Sequence, residues 1–169
     1  MSKILILIVL FISLTLEAYE SEERLEAVII GKVAKYISWK EHHRDFFVIT
    51  VLNNQSLEIF KSIYKDKKIK SRPVKIKNID NINDINSTDI LYIPQINSIE
   101  LDKILKKVKN KNILTISNIR GFAQKGGGLQ LYFVKRKLKL KLNIDVMREE
   151  EFDVELPLLR IVEIQKRED

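Results

Sequence analysis

Four of the five glycines, Gly121, Gly126, Gly127 and Gly128, fall within eight residues. Successive glycine N–H groups can cradle an anion. The pattern that follows them is a strand and not a helix, so no helix dipole would assist. A tight strand-to-strand connection, needing positive φ or close approach, is therefore the plainer expectation. A second polar group, Asn53, Asn54, Pro94, Gln95, Ser117 and Asn118, follows the apolar runs. In a parallel sheet such residues line the carboxyl edge, where α/β proteins hold ligands. They are uncharged and suit hydrogen bonding to a neutral or amino-acid-like molecule better than acid–base catalysis. Ordinary loop residues are the alternative. His42 and His43 stand beside Glu41 and Asp45, but adjacent loop side chains rarely converge on one ion. No metal is expected there.

The motifs of several enzyme classes are missing from the sequence. It has no Gly-x-Ser-x-Gly elbow, no His-Glu-x-x-His, no phosphate loop and no Gly-x-Gly-x-x-Gly. No catalytic residue and no cofactor are assigned. Trp39 is the only tryptophan. At a helix end it could anchor a partner or pack into the core. Lys35, Tyr36, Arg120 and Phe122 are further contact candidates with the same alternative.

The elements that would carry these residues read as follows. Ser21 to Trp39 has the pattern of a helix, capped by Ser21, with Leu25, Val28, Ile29, Val33, Tyr36 and Ile37 on its apolar face. Gly31 in its middle costs about 1 kcal/mol against alanine, which close packing against a neighbour would explain. Phe46 to Leu52 is an apolar run suited to a strand buried on both faces. Leu57 to Tyr64 is a short helix. Val74 to Ile79 alternates with lysines behind Pro73, as an edge strand does. Asn78 to Asp89 is loop with at most one helical turn. Ile90 to Ile93 is a third strand, a helix capped by Ser98 runs to Val108, and Ile113 to Ile116 is a fourth strand.

Strands alternating with helices indicate parallel pairing. After the glycines, Leu129–Val134 and Lys137–Ile144 are joined by Lys135-Arg136, which is hairpin spacing. Lys137, Lys139 and Lys141 share one face of the second strand, read either as an anionic contact surface or as a guarded edge. Asp145 is expected to cap a turn, and Glu155–Ile164 to be helical. The fold class is α/β: a Rossmann-like three-layer domain of four mostly parallel strands with helical crossovers, then an antiparallel hairpin.

The chain has 169 residues, enough for one domain with a core. Its net charge is +7, which permits acidic partners but equally describes a lysine-rich surface. Without cysteine it has no disulfide, thiolate or lipidated leader. Residues 1–18 read as an export signal: Lys3, the apolar run Ile4–Ile12, then Ser13–Ala18. An uncleaved anchor is the alternative, but Ile4–Leu16 falls short of the roughly 20 residues of a spanning helix. A single domain over 19–169 follows.

In their order and spacing these segments resemble the YfiR family of exported bacterial proteins. The resemblance is carried by residues 25–39, Phe46–Leu52, Arg72-Pro73-Val74 and Asp89–Ile93. The most specific part is Ile113–Ser117 followed by Gly121-Phe122-Ala123 and Gly126-Gly127, and Leu142-Asn143-Ile144 and Leu158-Leu159-Arg160 continue it. Gly31 stands where the family has an aromatic, and Lys40 where it has proline. The resemblance implies a periplasmic Rossmann-like protein that binds a membrane-bound sensor, a diguanylate cyclase or histidine kinase, and holds it inactive. A homodimer and a small-molecule ligand are left open, and nucleic acid is not an expected partner. A periplasmic small-molecule binding protein is the second reading.

Overall fold

The computed structural model describes residues 22–39, 44–53, 56–94 and 96–166. The chain forms helix α1 (22–34), then strands β1 (Ile37–Ser38) and β2 (Phe47–Leu52), helix α2 (Leu57–Tyr64), β3 (Lys68–Ile69) and β4 (Arg72–Ile79). A 3-10 turn (Ile82–Asp84), β5 (Ile90–Ile93), α3 (Ser98–Val108) and β6 (Leu114–Ser117) follow. The C-terminal part comprises β7 (Leu129–Val134), β8 (Lys137–Asn143), α4 (Ile144–Glu149), β9 (Asp153–Val154), α5 (Leu156–Leu159) and β10 (Glu163–Gln165).

Eight strands make one mixed sheet in the order β10-β8-β7-β6-β5-β2-β4-β3. β2 pairs in parallel with β4 and β5, β5 with β6, and β6 with β7. β7 and β8 form the expected antiparallel hairpin. The protein is thus α/β with a wider sheet than the sequence pattern predicts.

β2 is buried along its whole length, as its unbroken apolar run requires in the middle of a sheet. Alternation along β5 divides the core. Ile90 and Tyr92 join α1 and α2 residues on one side, while Leu91 and Ile93 join Leu101, Ile104 and Val108 of α3 on the other. β3 pairs only with Arg72 and Pro73, and the Val74 N–H bonds the Lys67 carbonyl, so 75–79 keep an open side guarded by lysines.

Several expectations are corrected. The first helix stops at residue 34, and Ile37–Ser38 instead pair antiparallel with Asp153–Val154. Its buried apolar residues are Ala27, Ile30, Val33 and Ala34, and Leu25 is exposed; beyond its end Ile37 is buried and Tyr36 exposed. Asn97, not Ser98, caps α3, its side chain accepting from the Glu100 N–H at 2.9 Å. Asn143, not Asp145, caps α4. The C-terminal segment makes one helical turn and then becomes β10, parallel to β8. β8 offers an unpaired backbone edge there, and pairing outweighs the weak helical spacing of Leu156, Leu159 and Val162. β8 is therefore covered over Lys141–Asn143 rather than being the sheet edge.

Gly31 fits the expectation of close packing. A Cβ there would lie 2.8 Å from the Tyr64 hydroxyl, which donates to the Ala27 carbonyl at 2.6 Å. Burial raises the Tyr64 pKa, so the phenol stays a neutral donor.

Candidate functional site

Helix α1 follows the spacing 23, 26, 30, 33 on its inner face, and the first two positions are glutamates. Glu23 and Glu26 are consequently buried, at 8% and 2% exposure, over the carboxyl ends of the parallel strands. Glu26 accepts from the Tyr92 hydroxyl at 2.7 Å and from Asn118 Nδ2 at 3.2 Å on both oxygens. The Ser56 hydroxyl donates to Glu23 at 3.3 Å. Burial pushes the Glu26 pKa up. Donation from Tyr92 and Asn118 offsets this in part, and the charges of Glu23 and Glu22 add to the rise.

Two adjoining cavities open beside this carboxylate, of about 460 and 500 Å³, sharing Asn118, Arg120, Tyr132 and Phe133. Glu22 and Glu26 line the first, and Lys141 and Gln130 line the second. At the far wall Tyr132 donates to Glu163 at 2.7 Å, and Lys141 reaches the same carboxylate at 2.9 Å. Donation by Tyr132, then by Lys141, holds the Glu163 carboxyl below its usual range. The same bond to Glu163 raises the Tyr132 phenol. The groove thus has Glu22 and Glu26 at one end, the Lys141–Glu163 pair at the other, and Arg120 with an aromatic wall between them. That arrangement can orient a small polar molecule.

Of the polar residues assigned to this edge, Asn118 lines both cavities. Ser117 is buried and its hydroxyl accepts from the Ile119 N–H. Asn53 adopts φ 65° and its N–H bonds the Ile79 carbonyl. Pro94 is buried. Asn54 and Gln95 lie outside the described residues, as do His42, His43 and the leader. Among the described residues no group of acids and histidines could hold a metal ion, and no helix is long and apolar enough to cross a membrane.

The glycine turn is no anion cradle. Gly126 N–H bonds the Ala123 carbonyl, Gly127 N–H the Phe122 carbonyl at 2.9 Å, and Gly128 N–H the Thr115 hydroxyl at 2.9 Å. Each donor is already engaged. A Cβ on Gly127 would overlap the Phe122 ring, so that position demands close approach. Gly121 and Gly126 take φ 77° and 94°.

The contact candidates divide between opposite ends of the sheet. Arg120 is exposed in the groove at the carboxyl edge. Lys35 and Tyr36 are exposed beyond the other end of α1. Phe122 is fully buried beneath the glycine turn and serves the core. Trp39 is half-buried at the amino edge, its ring edge-on to Phe47 and Phe152 at 5.2 and 5.6 Å. Its Nε1 donates to the Asp89 carbonyl at 3.0 Å.

Asp89 is the second group the sequence reading passed over. It is fully buried and accepts from the Val48 N–H at 2.7 Å and from Arg72 at 3.0 Å, with Arg44 at 3.8 Å. It fastens the starts of β2, β4 and β5 together. For Glu23 and Glu26 the available signal was their position on the helix stripe. Asp89 carried no periodic signal, since it stands at a strand start.

A family model described as YfiR/HmsC-like matches residues 23–163. None of the curated proteins matches the chain.

Proposed function

The chain belongs to the YfiR/HmsC-like family, and we propose that it is an exported, non-enzymatic regulator. In this reading it binds the periplasmic sensing domain of an inner-membrane diguanylate cyclase or sensor kinase and holds it inactive. The family match, running from α1 to β10, carries the reading. An exposed surface supports it. The Glu155 N–H bonds the Tyr36 carbonyl at 2.9 Å, and beside that bond stand Tyr36 and Leu156, 39% and 59% exposed. Lys35 adjoins Tyr36 in the chain. Affinity capture from envelope extracts tests this. The expected catch is an inner-membrane sensor, lost when Tyr36 and Leu156 are changed to Asp. Capture of no membrane sensor would overturn it.

The carboxyl-edge groove favours a second reading, binding of a small polar molecule. We read the strand order β4-β2-β5-β6 as the Rossmann-like, doubly wound arrangement, whose ligands lie outside the carboxyl ends. A thermal-shift screen of zwitterions checks it: a specific hit abolished by Asn118→Ala is the expected result, and none at all sinks the reading. Ligand binding and sensor binding are compatible, one modulating the other.

A further inference from the structure

The β7–β8 hairpin outruns its neighbours. β6 pairs only with Leu129 and Gln130, and β10 only with Lys141 to Asn143. From Leu131 to Leu140 the two strands therefore have only each other in the sheet. A lone two-stranded ribbon is marginal in water. The inner face holds its base down: the Leu131–Leu140 pair is buried, and the next pair, Phe133–Leu138, is half-buried. The outer face carries the pairs Tyr132–Lys139 and Val134–Lys137, with Val134 45% exposed.

The tip is strained and cationic. Lys135 and Arg136 take φ 48° and 63°. Two left-handed residues in a two-residue connection make the turn in which Asn-Gly is preferred. Here two long cations hold that backbone at a conformational cost. Packing does not explain them, since both are exposed. Lys70-Ser71 of the β3–β4 turn hold a similar left-handed pair, φ 50° and 65°, so it is the charge gathered on this hairpin that sets its tip apart. Residues 129–144 include Lys135, Arg136, Lys137, Lys139 and Lys141 and no acid. Among the described residues, only Lys141 of these five forms a salt bridge.

We propose that this hairpin tip docks on an anionic phospholipid surface. Lys135, Arg136, Lys137 and Lys139 meet the headgroup phosphates, and Val134 sits at the acyl boundary. A projecting tip of flexible cations around one aliphatic side chain matches a fluid, diffusely charged surface. An acidic protein would be expected to find a pocket or an aromatic anchor at the tip, and a nucleic-acid backbone offers Val134 no apolar contact. The assignment depends on neither the sensor nor the groove ligand.

Co-sedimentation of the full chain with vesicles tests it. Phosphatidylcholine vesicles with and without phosphatidylglycerol are compared at low and high salt. The neutral vesicles report any contribution from the apolar run at residues 4–12. Binding to the anionic vesicles is expected, weakening with salt. The double variant Lys135→Asn/Arg136→Gly should lower it about 25-fold, at about fivefold per cation near the surface. It should also raise the melting temperature, because Asn-Gly suits the turn. Lys137→Gln/Lys139→Gln, which leaves the turn alone, should give a similar loss. Unchanged binding in both variants would overturn the proposal. So would an equal loss on neutral vesicles, or, with polyglutamate or duplex DNA offered in place of the vesicles, a loss seen only there.

Discussion

Each end of the sheet buries a carboxylate, and the two are held in opposite ways. At the amino edge Asp89 is met by a backbone N–H and two arginines, with Trp39 bonded to its carbonyl. At the carboxyl edge Glu26 is met by the neutral donors Tyr92 and Asn118, while Glu22 and Glu23 oppose its charge. The first arrangement matches charge and joins three strands. The second leaves a carboxylate whose ionised form is penalised beside a groove that a ligand can enter. Burial alone therefore does not separate a fastener from a site; the charge of the partners does.

The comparison is broken most easily at Asp89. Asp89→Ala would strand the Val48 N–H and two arginines, and is expected to cost about 3–5 kcal/mol in urea denaturation. A loss below about 1 kcal/mol would mean that the amino edge is no fastener. Glu26→Ala should cost less, about 1–3 kcal/mol, because it strands neutral donors only. Trp39→Phe keeps the ring contacts and loses one hydrogen bond, so about 0.5–1.5 kcal/mol is expected.

The pH dependence sharpens the contrast. The folded Glu26 pKa is raised above 4.5, so the unfolded chain ionises first as pH rises. Stability should fall from pH 4.5 through the raised folded value, then level off. Glu26→Gln removes the ionisation and should remove that decline, which denaturation midpoints across pH would read directly. Tyr132→Phe, at the exposed wall of the groove, should change stability by no more than about 0.5 kcal/mol while weakening any groove ligand.

Much of the sheet was legible because its inner strands are apolar on both faces. Ile90–Ile93 stands as that pattern has it, and Leu129–Val134 as alternation and hairpin spacing have it. β10 was not legible, because it is three residues long and its own residues are amphiphilic. Of the residues lining the groove, the sequence singled out Asn118 as a ligand candidate and Arg120 as a partner contact. Glu26 escaped notice because a glutamate near a helix start ordinarily serves the dipole in solvent. Here the helix lies across strand ends, and the same residue is turned inward. Trp39 read as packing more readily than as an anchor; it stands half-buried against Phe47 and Phe152 and bonds the Asp89 carbonyl.

One helix touches both edges. α1 carries Glu26 above the groove, and the chain leaving it supplies Tyr36 and Trp39 at the opposite edge. The Tyr64 phenol seats the helix against Gly31, three residues before its end, where no side chain keeps the two apart. α1 is a stiff rod about 20 Å long, gripped by Tyr64 at Ala27 and Gly31, so the two edges share one seat. Enlarging residue 31 would lift the rod from its seat and disturb both edges together, which no change confined to either one would do.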